Sequence, residues 1–263
     1  MLSERTGRWY RGLLCTLSSP VAWVGRFCGP LLRKFRAAER YANGLAIVLP
    51  GIESQSFLNH SVVWGLADSG WPGAIEIDDW TTTCVLLFPY HLRGWKRNQR
   101  QAERIAARIV AYQDEFPGRP VYLIGHSGGG AMTILTLEKL PAGRTVTGAI
   151  LLAAAISRQY PLSTALQKTE RGMWNFSSRG DQFFLCLGTL ALGTLDGRHQ
   201  VSAGLLGFQE PLDLSAPDRE LYQRQLHEVG YSREMAGAFN LGGHFGCVNR
   251  VFVSEYVAPL LLQ

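Results

Sequence analysis

One serine lies among glycines at residues 124–131, in the stretch IGHSGGGA, directly after the apolar run VYLI. Small residues stand two positions before and two positions after Ser127, at Gly125 and Gly129. Glycines are costly inside ordinary strands and helices, because glycine loses the most backbone entropy on folding. This spacing suits a sharp strand-to-helix turn, where flanking side chains would clash and the serine hydroxyl is lifted out at the sheet edge. Ser127 is therefore a candidate nucleophile. The alternative is a tight turn with Ser127 as an N-capping residue.

In this setting the G-x-S-x-G pattern resembles the nucleophile elbow of the α/β-hydrolase superfamily, whose serine esterases and lipases use such a serine. The resemblance extends over roughly residues 45–260, through the order of elements. It implies that Ser127 attacks a carbonyl carbon and that the backbone N–H of Gly128, at a helix N-terminus, holds the oxyanion.

The second oxyanion donor is expected from the loop after the apolar run LAIVL at residues 45–49. The family often has His-Gly there, whereas this chain has Pro50-Gly51-Ile52. Gly51 allows a close approach of the backbone, and we expect the N–H of Ile52 to be the donor. The missing histidine is a departure from the family pattern, and an ordinary turn is the alternative.

A serine hydroxyl needs a base, and the base needs an orienting group. Three histidines follow Ser127, namely His199, His227 and His244. His244 lies in NLGGHFG, where glycines indicate a loop that passes close to other backbone, before a predicted closing helix. The family order of nucleophile, acid and histidine therefore implies His244 as the base. The pattern RELYQRQLHEV places His227 on a predicted surface helix.

Two aspartates compete for the role of the acid. Asp181 follows the predicted strand MWNF through the loop SSRG, at the position where the family places its acid, two strands beyond the elbow. An ion pair of Asp181 with Arg179 at the surface is the alternative there. Asp196 is the main competitor, although Asp-Gly more often marks only a turn.

Apolar runs alternate with helical periodicity from residue 45 onward, which predicts an α/β fold with a mostly parallel sheet and helices on both faces. The interval from Ser127 to Asp181 is short, which predicts little or no cap and a shallow site. The predicted strands are LAIVL, AIEI, CVLLF at residues 84–88, VYLIG, GAILLAA and MWNF.

The basic residues are concentrated at the N-terminus. Residues 1–44 contain seven Arg and one Lys against two Glu, a net charge of +6, whereas the whole chain carries +5. We therefore divide the chain into a basic amphipathic arm at 1–44 and a hydrolase domain at 45–263. Three interpretations of the arm stay open: a segment in the membrane interface, an arm packed on the body, or an atypical secretion signal. A segment in the membrane interface predicts a cytoplasmic protein that is peripheral at the membrane. An arm packed on the body predicts a cytoplasmic protein.

No pattern in the sequence indicates a cofactor. The five cysteines are scattered and contain no C-x-x-C pair, which predicts reduced structural thiols, and there is neither a metal-ligand cluster nor a phosphate loop. The body is near neutral, so the charge predicts no nucleic-acid partner. We expect a small-molecule or lipid ester as substrate, with a thioester or an amide left open. A catalytically inactive scaffold that binds a membrane or a partner is the other class of function.

Overall fold

The apolar runs of the sequence form a parallel β-sheet. The structure is a computed structural model that describes residues 2–82, 84 and 87–263. The strands in this part of the chain are β1 (Leu45–Leu49), β2 (Ala74–Ile77), β3 (Val121–His126), β4 (Gly148–Leu152), β5 (Met173–Ser177) and β6 (Leu226–Gly230). They pair in parallel in the order β2-β1-β3-β4-β5-β6. Parallel strands end at the same edge, so the loops after β1, β3 and β5 lie close together.

Helices connect these strands and close the chain. The α-helices are α1 (Leu2–Ser18), α2 (Ala38–Tyr41), α3 (Phe57–Asp68), α4 (Phe88–Arg93), α5 (Trp95–Glu115), α6 (Gly128–Glu138), α7 (Ser163–Leu166), α8 (Thr189–Leu192), α9 (Ala203–Leu206), α10 (Ala216–Gln225), α11 (Arg250–Phe252) and α12 (Ala258–Leu262). Stretches of 3₁₀-helix cover Ser19–Arg36, Arg233–Ala238 and Gly246–Val248, and π-helical turns cover Phe183–Gly188 and Val253–Val257.

Both faces of the sheet are covered. Side chains of successive strand residues point to opposite faces, and β1 accordingly divides its residues between two cores. Leu45, Ile47 and Leu49 pack with α5 and α6, whereas Ala46 and Val48 pack with α3 and the C-terminal helices. The predicted fold class, a mostly parallel sheet with helices on both faces, is confirmed.

The predicted helix through His227 is wrong. Helix α10 ends at Gln225, and residues 226–230 form the edge strand β6, paired with β5. His227 stacks on Trp174 of β5, with ring centroids 5.0 Å apart. Pairing with the neighbouring strand outweighs the local helical pattern, because sheet formation depends on tertiary context. Within the predicted strand at 84–88, residues 85 and 86 lie outside the described residues, and Phe88 begins α4.

The N-terminal segment, residues 2–36, packs against the body. Ala22, Leu32 and Phe35 are buried and belong to the same core as α3. A Cβ built on Gly25 would lie 2.3 Å from the backbone N of Phe57, so the two backbones touch. The expected division after residue 44 falls at the start of β1, but the segment is not a detached arm. In the part of the chain that the structure describes, no helix combines the length and the apolar character that crossing a bilayer requires.

No separate cap domain interrupts the sheet between the elbow and Asp181. The connection from β4 to β5 contains one short helix, α7, in agreement with the prediction of little or no cap. The site is instead enclosed by parts of the N-terminal segment and by the helical turns that follow Asp181.

Candidate active site

Ser127 occupies a strained turn between β3 and α6. Its backbone has φ 53° and ψ −119°, a conformation that residues other than glycine rarely adopt. Hydrogen bonds hold it there. The N–H of Ser127 donates to the carbonyl of Leu152 at 2.9 Å, and the carbonyl of Ser127 accepts from the N–H of Gly130 and of Ala155, each at 3.0 Å. The backbone of the turn is thus fixed by the end of the neighbouring strand.

The flanking glycines have the steric role that the sequence predicts. A Cβ built on Gly125 would lie 2.2 Å from the carbonyl oxygen of Gly129. A Cβ on Gly129 would lie 2.1 Å from the carbonyl oxygen of Leu49, at the end of β1. These contacts involve backbone atoms that have no room to move, so both positions require glycine.

The loop after β1 brings Ile52 beside the elbow. The ideal Cβ position of Gly128 lies 3.5 Å from the backbone N of Ile52, so the two predicted oxyanion donors are neighbours. The indole N–H of Trp80 donates to the carbonyl of Pro50 at 2.7 Å and anchors the loop. The donor role of Ile52 stays a prediction.

His91 supports the same loop and was not singled out from the sequence. Its Nε2 accepts from the backbone N–H of Thr82 at 3.0 Å, which assigns the ring hydrogen to Nδ1. Nδ1 then donates to the carbonyl of Ile52 at 3.0 Å, fixing the orientation of that peptide group. Burial lowers the pKa of His91 and favours this neutral form. His91 is isolated in the sequence, and no motif marks it.

Asp181 and His244 form a buried pair. Nδ1 of His244 lies 2.5 Å from Oδ2 of Asp181, and both side chains are buried. Burial lowers the pKa of His244, and the hydrogen bond to Asp181 opposes that shift. The ring of Phe184 stacks on the imidazole, with centroids 4.7 Å apart. The imidazole of His244 is therefore held at Nδ1 by the carboxylate and on its ring face by Phe184.

The loops that carry this pair are tied to each other. The hydroxyl of Ser178 donates to the carbonyl of Gly242 at 2.5 Å. A Cβ on Gly180 would lie 2.6 Å from that same carbonyl oxygen. The prediction that the glycine-rich loop around His244 passes close to other backbone thus matches the structure.

The competing residues lie elsewhere. Asp196 accepts hydrogen bonds from Ser157, at 2.5 Å from the hydroxyl and 3.1 Å from the backbone N–H. Nδ1 of His199 lies 3.0 Å from the carbonyl of Leu190 and donates to it. Nε2 of His227 lies 3.4 Å from the carbonyl of Arg171. The structure therefore pairs Asp181, and not Asp196, with His244.

Ser127 and His244 line one cavity of about 290 Å³. Its walls are largely apolar, and the N-terminal segment contributes Ser19, Ala22 and Trp23. Glu53 also lines the cavity. No sequence motif marks these four residues as parts of one wall, because a wall made by segments distant in sequence leaves no local pattern. The other apolar wall residues include Leu58, Leu92, Phe184, Leu185 and Leu192.

A match to one family model agrees with this fold. Residues 91–179 match the family model described as serine aminopeptidase, S33, which contains the elbow but ends before Asp181. No curated protein matches the chain in sequence. With the parallel sheet and the elbow, this match over residues 91–179 confirms the resemblance to the α/β-hydrolase superfamily. The match supports a hydrolase.

Several solved structures are similar over most of the chain at low identity. An acetylxylan esterase is 12% identical, with 84% of this chain and 95% of that chain covered and a TM-score of 0.42. A cutinase-like protein from Cryptococcus sp. is 14% identical, with coverage of 83% and 95% and a TM-score of 0.43. A monoacylglycerol lipase of Paleococcus ferrophilus is 15% identical, with coverage of 82% and 95% and a TM-score of 0.39.

Proposed function

We propose that the chain is a serine hydrolase that cleaves a carboxylic ester through Ser127, His244 and Asp181. One observation carries the proposal: a serine on a strained elbow and a histidine held by a buried carboxylate line the same apolar cavity. A serine that served only as a helix cap needs no such histidine nearby. No side-chain capping bond is formed by Ser127.

The reaction follows from the hydrogen bonding of His244. Its Nδ1 is engaged by Asp181, which leaves Nε2 to take the proton of the Ser127 hydroxyl as that oxygen attacks the carbonyl carbon. The N–H groups of Gly128 and Ile52 stabilise the tetrahedral oxyanion. His244 then returns the proton to the leaving alcohol. Water activated by the same histidine hydrolyses the acyl-enzyme and releases the acid.

The cavity supports an ester with an apolar acyl group. Its walls bury hydrocarbon, and each buried CH₂ group contributes about 0.8 kcal/mol of binding free energy. A volume of about 290 Å³ suits a single acyl chain better than a bulky polymer within the cavity. Thioesters and amides share the mechanism, and an ester is favoured over an amide because an alcohol is a better leaving group than an amine.

A reactive-serine probe tests this function. A fluorophosphonate should label the wild-type protein and leave Ser127→Ala unlabelled, because the probe needs an activated serine. A series of p-nitrophenyl esters of increasing chain length should then identify the preferred acyl group. Equal labelling of both proteins, or hydrolysis that persists in Ser127→Ala, contradicts the proposal. Absence of both labelling and hydrolysis favours the inactive-scaffold alternative.

We also propose peripheral membrane contact through residues 1–44 of a cytoplasmic protein. Large apolar side chains of the N-terminal segment are exposed, including Trp9 (55%), Trp23 (54%) and Phe27 (70%). Exposed Arg33 and Lys34 accompany them in a region of net charge +6. Apolar anchors together with basic residues favour an anionic bilayer surface, where each basic residue contributes about 1 kcal/mol.

Vesicle sedimentation tests this contact. The protein should bind vesicles with phosphatidylserine more tightly than vesicles of phosphatidylcholine alone, and salt should weaken the binding. Replacing Trp9 and Phe27 by Ser should reduce binding while leaving hydrolysis of a soluble ester intact. Equal binding to both vesicle types, or unchanged binding by the double variant, contradicts the contact.

A further inference from the structure

Glu53 places a carboxylate in the wall of the cavity that contains Ser127 and His244. Most of the other wall residues are apolar, and the side chain of Glu53 is only 24% exposed. Removing a carboxylate from water is costly unless it receives hydrogen bonds. A carboxylate in this position is therefore stabilised by each hydrogen-bond donor that contacts it.

The carboxylate is held in place by the oxyanion loop itself. The backbone N–H of Gly51 donates to Oε1 at 3.2 Å. A Cβ built on Gly51 would lie 2.1 Å from Oε2, so a larger residue at position 51 would displace the carboxylate. Gly51 thus leaves room for Glu53, and the carboxylate is positioned next to Ile52 before any substrate enters.

His126 is the basic side chain nearest to Glu53 among the described residues, and in its neutral form it donates no hydrogen bond to the carboxylate. His126 is buried, and its Nε2 lies 3.1 Å from the carbonyl of His244, so Nε2 carries the ring hydrogen and donates it. Nδ1 is then an acceptor. It lies 3.8 Å from Oε1 of Glu53 and forms no hydrogen bond with the described residues. Nδ1 of His126 and Oε1 of Glu53 are therefore two acceptors that face each other. The carboxylate of Glu53 can still accept a hydrogen bond from a ligand in the cavity.

A ligand that meets this site must bring a hydrogen-bond donor. Glu53 also lies near His244, because Nδ1 of His126 is 3.8 Å from Oε1 of Glu53 and the ring centroids of His126 and His244 are 4.8 Å apart. In the proposed reaction His244 protonates the leaving alcohol, so the part of the substrate next to both residues is the alcohol part. A neutral hydroxyl is cheaper to bury beside apolar walls than a cation.

We propose that Glu53 accepts a hydrogen bond from a hydroxyl on the alcohol part of the substrate and so selects esters of polyhydric alcohols over simple alkyl esters. This specificity rests on the proposed ester hydrolase function. Glu53 takes no part in bond making or breaking. Glu53 contributes to substrate binding, so its loss changes the ratio of kcat/KM between esters of different alcohols.

Three esters with the same decanoyl chain separate the possible roles: 1-monodecanoylglycerol has free hydroxyls, propyl decanoate has no donor, and decanoylcholine has a cation without an O–H or N–H group. We expect the wild type to prefer the glycerol ester over the propyl ester in kcat/KM by about tenfold or more, because a hydrogen bond to a charged group is lost with the alkyl ester. Glu53→Ala should reduce this ratio by about tenfold, mainly through KM, and Glu53→Gln should reduce it less. Glu220→Gln, an exposed glutamate on α10, is the matched control and should leave the ratio unchanged.

Each other outcome has a defined meaning. An equal loss of activity on all three esters in both Glu53 variants overturns the proposal, because Glu53 then only holds the oxyanion loop. A wild-type preference for decanoylcholine that Glu53→Ala removes also overturns it and indicates a cation site. An unchanged ratio in Glu53→Ala excludes any role in selection. Wild-type protein that hydrolyses none of the three esters in a Ser127-dependent reaction contradicts the underlying function, which separates that failure from failure of the hydroxyl site. Circular dichroism and thermal unfolding verify that the variants fold.

Discussion

Two walls of the cavity differ in how they are built. One wall, which we call the catalytic wall after its proposed role, comes from loops at the ends of β1, β3 and β5 and from the loop around His244. In these loops glycines touch backbone, and neighbouring loops are hydrogen-bonded. Another wall comes from Ser19, Ala22 and Trp23 of the N-terminal segment, where Ala22 is buried but Trp23 is about half exposed. In the proposed reaction the first wall fixes atoms for chemistry. We expect the second wall, where Ala22 and Trp23 are apolar, to affect which esters enter more than how fast bonds break.

The largest expected effects belong to the catalytic wall. Ser127→Ala and His244→Ala should each lower kcat for p-nitrophenyl ester hydrolysis by several orders of magnitude, up to about 10⁶-fold, because nucleophile and base act as one unit. The double variant should therefore be no slower than either single variant. Losses that multiply in the double variant would show that the two residues act independently.

Asp181→Asn and Asp196→Asn separate the two candidate acids. Asp181→Asn should lower kcat on the order of 10⁴-fold, because an amide beside Nδ1 no longer stabilises the required imidazole tautomer. Asp196→Asn removes a carboxylate that is bound to Ser157, away from His244, so its kcat should stay near that of the wild type. Steady-state kinetics on the same ester measure both. The reverse pattern transfers the acid role to Asp196.

Two phenylalanines of the N-terminal segment test whether this wall is part of the folded body. Phe35 is buried edge-on to Trp64, with ring centroids 5.0 Å apart, so Phe35→Ala should lower the free energy of unfolding by about 3–5 kcal/mol. Phe27 is 70% exposed, and Phe27→Ala should change that free energy by no more than about 0.5 kcal/mol. Urea denaturation followed by tryptophan fluorescence compares them. Equal, small effects would support a detached arm.

Substitutions of Trp23 and Trp9 distinguish the effect of lining the cavity from the effect of surface exposure. The two side chains are almost equally exposed, but of the two only Trp23 lines the cavity. Trp23→Ala should lower kcat/KM for a decanoyl ester by about tenfold relative to an acetyl ester, because apolar contact with the distal methylenes is lost. Trp9→Ala is the matched control and should leave the ratio of the two esters unaltered. A loss of the same size on both esters in Trp23→Ala would place its effect on the fold rather than on the acyl chain.

The catalytic wall was largely predictable from the sequence. Steric demand at Gly125 and Gly129 leaves a readable pattern, and parallel strands end at one edge of the sheet, which places the loop of Asp181 near that of Ser127. Local patterns were a poorer guide at the sheet edge. Residues 226–230 continue the helical pattern of α10, but their backbone groups pair with β5, a contact distant in sequence.

The other wall could not be predicted in the same way. The N-terminal segment contains arginines and aromatic residues in an amphipathic pattern, and that pattern fits both a protein surface and a membrane surface. Burial of Leu32 and Phe35 depends on the shape of α3, which no short stretch of sequence encodes. Glu53 could not be predicted from the sequence for a related reason. Its role depends on where the carboxylate lies, and a single glutamate in a loop has no signature.

The smallest expected effect is the pH dependence of kcat/KM, which concerns His244 in the catalytic wall. His244 must be neutral to take the proton of Ser127. Burial lowers its pKa below the usual 6.5, with Asp181 opposing the shift, so the neutral form persists to lower pH than for an exposed histidine. The profile of kcat/KM, which reports the free enzyme, should therefore stay flat as pH falls through 6.5 and decline only below that value. Measurement from pH 4 to 8 with an ester stable in that range provides the test. A decline that begins above pH 6.5 would mean that the carboxylate of Asp181 outweighs burial, and it would place the imidazole in a more polar setting than the buried pair provides.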